Sequence, residues 1–120
     1  MLLEIAIGDA YGAGFEYAEP TSDRPNDLSR YVRHPRHHGP RQGIGCYTDD
    51  TQMTIAVCET MLAHDNPSAR QFVERFVACF KRHERNGYAR NFQRFLEEIA
   101  DADAFEQRIR PDSQKSGAAM

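Results

Sequence analysis

A chain of 120 residues has room for one core, and 40% hydrophobic against 28% charged residues is a globular composition rather than a disordered or disulfide-stapled one. Fifteen Lys and Arg against eighteen Asp and Glu leave a formal net charge of -3, which lacks the basic excess that phosphate-backbone binding needs and excludes nucleic acid as the expected partner. Cys46, Cys58 and Cys79 form an odd set with no C-x-x-C pair, which argues against zinc or redox chemistry and for reduced thiols in the cytoplasm.

The first predicted element is a helix. Leu2, Leu3, Ile5, Ala6 and Ile7 follow no Ser, Thr, Asp or Asn that would cap its start, so the helix is expected to be under way at residue 1. The apolar run carries Glu4 and stops at Gly8-Asp9, without the basic flank of a signal peptide or the length of a membrane span, so no membrane partner is expected. A helix end and turn follow over residues 8 to 17, where Gly8 and Gly12, one helical turn apart, would let another backbone come close. Residues 19 to 47 include Pro20, Pro25, Pro35 and Pro40 and sustain no period of 3.6 or 2, which predicts a long loop.

Thr51 to Leu62, with Met53, Ile55, Ala56, Val57, Cys58, Met61 and Leu62, predicts a helix buried on more than one side. Ser68 and Gln71 form a capping box ahead of the clearest amphipathic stripe, Phe72, Val73, Phe76, Val77 and Phe80. After Asn86-Gly87 a third stripe runs through Phe92, Phe95, Leu96 and Ile99. No stretch alternates as a strand would, so the expected fold class is all-α. The tail from Arg110 begins as a loop and ends in small apolar residues suited to a buried first helical turn. With the uncapped start, this leads to the expectation that residues 1-120 are the N-terminal portion of a longer helical domain.

The chemistry centres on Tyr47-Thr48-Asp49-Asp50-Thr51-Gln52, where paired carboxylates flanked by hydroxyls meet the start of a buried helix. These are hard oxygen donors, suited to Mg²⁺, Mn²⁺ or Ca²⁺ and not to zinc, and a divalent cation relieves the repulsion between adjacent acids in an apolar setting. The alternative is that Thr48 or Asp49 caps the helix, with Gln52 completing a capping-box-like pair. Glu16, between Phe15 and Tyr17 after a glycine-rich turn, is a second candidate as base or ligand, with an exposed loop acid as its plain alternative. A structural role is expected for Asp9. Gly8, Gly12 and Gly14 match no nucleotide fingerprint. His34, His37 and His38 lie among Arg33, Arg36 and Arg41, which would repel a metal, so a solvated basic loop is expected there. No thiol chemistry is assigned.

Taken in order, Gly8-Asp9-Ala10-x-Gly12, Phe15-Glu16, Tyr47-Thr48-Asp49-Asp50-Thr51-Gln52-Met53 and Ser116-Gly117-Ala118-Ala119-Met120 resemble the N-terminal part of the ADP-ribosylglycohydrolase family, which includes the dinitrogenase-reductase-activating glycohydrolases. The resemblance spans nearly the whole chain. It implies an all-α, orthogonal multi-helix bundle holding two Mg²⁺ or Mn²⁺ ions. The activity it implies is hydrolysis of the glycosidic bond between ADP-ribose and a protein side chain or small acceptor, so an ADP-ribosylated protein or small conjugate is the expected partner. Carried onto this sequence, Thr48, Asp49 and Asp50 resemble the first-half metal ligands, with both acids in the catalytic centre, and Glu16 resembles the acid near the metals and the scissile ribose. Ser113, Ser116 and Gly117 resemble the substrate-binding loop that wraps the diphosphate, whose amides can face an anion. The second acidic element of the family, Asp-x-Asp-Thr, has no counterpart here, since Asp101-Ala102-Asp103-Ala104 lacks the Thr, so half of a metal site is expected in this chain. The family fold also serves as an eye-lens crystallin. A catalytically inactive or ADP-ribose-binding relative therefore stands as one alternative, and an unrelated helical cation-binding module as another.

Overall fold

The computed structural model describes residues 1–19, 26–36 and 43–110. Five helices follow one another there, α1 (Leu2–Gly12), α2 (Asp49–Ala63), α3 (Ala69–Arg82), α4 (Arg90–Glu98) and α5 (Ala102–Arg108), and the described residues contain no strand. The fold is all-α, as the hydrophobic periods predict. Among the described residues no helix is long and apolar enough to cross a membrane. The chain forms two compact units, Met1–Gln52 with Arg85–Gly87, and Met53–Glu84 with Tyr88–Met120.

In the first unit α1 starts at Met1 without a side-chain cap, as expected, and buries Ala10. Tyr11 ties the segment from residue 26 to this helix. Its hydroxyl donates to Asn26 Oδ1 at 2.9 Å and accepts the Leu28 N–H at 3.0 Å, while its ring meets those of Phe15 and Tyr31 at 5.1 and 6.4 Å. The turn after α1 is tightened by Phe15 and Glu16, whose N–H groups both donate to Gly12 O. The close approach expected at Gly8 and Gly12 is made at Gly14 instead. Among the described residues no heavy atom lies within 4 Å of a side-chain position at Gly8 or Gly12, whereas a Cβ on Gly14 would stand 2.7 Å from Val32 O. Only a residue without a side chain lets the 31–34 segment lie so close.

In the second unit α3 packs on α4 and α5. Val77, Phe80, Tyr88, Leu96 and Ile99 form its core, with Met53, Val73, Phe92, Phe95 and Phe105 packed around them. The stripes of α3 and α4 are thus the buried ones, because residues three and four apart fall on one helix face. The capping box is present as predicted, Ser68 accepting from Gln71 N and its own N–H donating to Gln71 Oε1 at 2.8 Å. Across the surface, Arg70 binds Glu74 on α3 and Asp103 and Glu106 on α5, at 3.0, 2.5 and 2.7 Å.

Two expectations change. Met61 and Leu62, counted among the buried face of α2, are 63% and 88% exposed, because the burial of α2 stops at Thr60. The helix α5 has no counterpart in the predicted elements. Asp101 caps it by accepting the Ala104 N–H at 2.9 Å, so the acids read from the sequence only as an incomplete motif include a helix start. Cys46, Cys58 and Cys79 form no disulfide with one another, and Cys79 Sγ lies 3.6 Å from Glu59 Oε2; burial, then the Glu59 charge, pushes the Cys79 thiol up.

Candidate active site

The site begins with a carboxylate borrowed from another helix. The first N–H groups of a helix have no partner within it, and the N–H of the third helical residue ordinarily goes to the side chain of the residue before the helix. In α2 that N–H belongs to Thr51, and it goes to Asp9 on α1, whose Oδ2 accepts it at 3.2 Å together with the Thr51 hydroxyl at 2.6 Å and the Thr48 N–H at 2.8 Å. The Thr48 hydroxyl donates to Asp9 Oδ1 at 2.7 Å. Asp9 therefore has the structural role expected of it, and Thr48 and Thr51, both nearly fully buried, are its partners. With Asp9 as the cap, neither Asp49 nor Asp50 is needed for that task.

Asp49 is held from a second side by the Arg85–Gly87 segment. Its N–H donates to Asn86 O at 3.1 Å, and its carboxylate fills the space beside Gly87, where a Cβ would run into Asp49 Oδ1. Gly87 has φ +120°, a region that residues with side chains rarely occupy. Arg85 lies over the Tyr47 ring at 4.1 Å, packing the same segment against the residue before Thr48.

The electrostatics follow from this crowding. Burial, then the neighbouring Asp50 charge, pushes the Asp49 carboxyl up to about 6, with Asp9 adding in the same direction. Asp50, nearer the surface, is raised as well, first by the part withdrawn from water and then by Asp9 and Glu16. The charge of Glu16 thus acts on Asp50, the residue beside Asp49. Glu16 itself is exposed, and its Oε2 lies 3.4 Å from His34 Nε2.

The chemistry of these donors fits a hard cation. The Thr48 hydroxyl, whose O–H donates to Asp9, has oxygen lone pairs to offer, and two carboxylates that burial and repulsion hold above their ordinary range are the condition a divalent cation relieves. Among the described residues no three His, Cys, Asp or Glu side chains come together closely enough to hold an ion by themselves. Thr48, Asp49 and Asp50 could supply only part of a donor set. Ser113, Ser116 and Gly117, expected in the diphosphate loop, lie outside the described residues, as do His37, His38 and Arg41.

Over residues 1–120 the sequence matches the ADP-ribosylglycohydrolase family. The chain belongs to the ADP-ribosylglycohydrolase family. No curated protein and no solved structure matches it. Family membership makes a hydrolase of the glycohydrolase type its general function.

In this member of the family, two parts of the site have no local sequence signal for their place in it. His34 is not in a solvated loop but 4% exposed, because Gly14 admits the segment that carries it. Asn86-Gly87 reads in the sequence as a turn between helices, and that signal is sound, yet nothing local shows that its backbone closes on Asp49 from 37 positions away in the chain.

Proposed function

We propose that this chain contributes the Thr48, Asp49 and Asp50 side of a Mg²⁺ or Mn²⁺ site to the hydrolysis of the glycosidic bond joining ADP-ribose to a protein side chain or small acceptor, in the cytoplasm. The observation that carries this reading is the convergence on one helix start of hard oxygen donors that are not needed to cap it, in a chain of this family. When bound beside these carboxylates, a divalent cation would offset their charge and supply Lewis-acid chemistry. Thr48, Asp49 and Asp50 would hold it, Thr48 fixed by its contacts with Asp9 and Asp49 by its N–H to Asn86 O. Glu16, exposed and within electrostatic reach of Asp50, takes the proton of the water that attacks the anomeric carbon and passes it to the acceptor, which leaves with the bonding electron pair. Ser113, Ser116 and Gly117 are assigned the diphosphate by their place in the family's motif order.

Titration with Mn²⁺ or Mg²⁺ by calorimetry tests the assignment. Removing one carboxylate from such a site is expected to weaken binding at least about tenfold in Asp49→Ala. An affinity equal to that of the unsubstituted protein would remove the site from this helix.

A further inference from the structure

We propose that His34 is a positioning residue for Glu16, orienting its carboxylate through a hydrogen bond from Nε2–H; this rests on the reading of Glu16 as the proton-transfer group. The imidazole side chain is 2% exposed, against 49% for Glu16. A buried ring is held in one place, whereas an exposed glutamate samples many rotamers. The Arg36 N–H donates to His34 Nδ1 at 3.0 Å, which makes Nδ1 the acceptor and puts the proton of the neutral ring on Nε2. Nε2 faces Glu16 Oε2 at 3.4 Å. That is long for a hydrogen bond, as is common at catalytic pairs before substrate arrives and closes them.

The surroundings hold both partners in register. Gly14 admits Val32, fixing the backbone two residues ahead of His34. Tyr17, next to Glu16, takes the left-handed backbone at φ 56°, unusual for a residue with a side chain, and its ring has the Arg36 guanidinium at 4.5 Å and the His34 ring at 6.2 Å. One short segment thus engages two consecutive residues of the turn after α1. A carboxylate bound through Oε2 keeps Oε1 for the proton.

Two substitutions separate the donor from mere packing. In His34→Asn the amide oxygen can still accept the Arg36 N–H but no donor reaches Glu16, whereas His34→Gln places an N–H where Nε2 was. With circular dichroism confirming the fold, His34→Asn is expected to lower kcat for ADP-ribose release about tenfold with KM nearly unchanged, and His34→Gln to restore most of the loss. A wild-type kcat in His34→Asn would overturn the proposal. A second readout needs no turnover: ¹⁵N spectra of the imidazole should show the Nε2–H tautomer and a shift of the Nε2 resonance in Glu16→Gln. A proton on Nδ1, or an Nε2 resonance indifferent to Glu16→Gln, would overturn it as well. Absence of ADP-ribose release from the unsubstituted protein would count against the hydrolase reading alone, and the spectra would still decide the pairing.

Discussion

Any side chain at position 87 meets two obstacles, a φ of +120° and the carboxylate of Asp49. Gly87→Ala is therefore expected to destabilise the protein by about 1–3 kcal/mol through backbone strain and to weaken divalent-cation binding by displacing Asp49. Thermal melts and a metal titration measure the two effects, and a variant normal in both would mean that this backbone does not set the carboxylate. Asp49 also makes the metal-free protein sensitive to pH. Its carboxyl ionises at about 6 in the folded chain against an ordinary 3.8, so between these values the native state holds more protons than the unfolded one. The stability it contributes is full below the ordinary value and is lost as pH rises through the folded one. Denaturant titrations across that window should show unfolding free energy falling less steeply with pH in Asp49→Asn than in the wild type. Metal affinity should run the other way, rising with pH as the ligands lose their protons. The Thr-Asp-Asp-Thr pattern was legible because hard donors declare themselves by residue type. Gly87 and His34 were not, since each acquires its role only when a distant backbone closes on it.

Asp9 joins α1 to the start of α2, and its removal would leave the donors of two buried threonines without their acceptor. Asp9→Ala is expected to cost on the order of 3 kcal/mol, several times the loss of an ordinary exposed cap such as Ser68 in Ser68→Ala, at about 1 kcal/mol. Chemical denaturation of the two variants checks the ratio, and equal losses would show that Asp9 is not the acceptor described. The helices differ in how plainly the sequence announces them. In α3 the capping box, the apolar stripe and Lys81 and Arg82 in the last turn agree, and the helix runs where they place it. In α5 the seven residues are too few to display a period, and the cap at Asp101 is the local signal. The last turn of α2 is apolar by composition and exposed in fact, because composition records what a face can bury and not where its covering ends.

At the scale of the whole molecule, Leu3 at 69%, Ile7 at 48%, Met61 at 63% and Leu62 at 88% exposure leave apolar side chains in water on α1 and α2. The chain is expected to self-associate through them as its concentration rises, and sedimentation velocity should show the mean mass increasing, with Leu3→Glu and Leu62→Glu each reducing it. A concentration-independent monomer would contradict this. The sequence by itself determined the all-α class, the α3 and α4 core faces, the family and the paired acids, since each rests on residue type and on spacings within a few helical turns. Tertiary structure decided the rest: which carboxylate caps α2, which backbone leaves room for Asp49, and which histidine is buried against Glu16. Those depend on the space between segments tens of residues apart, and the energy of a hydrogen bond or a steric clash exists only once that distance has closed.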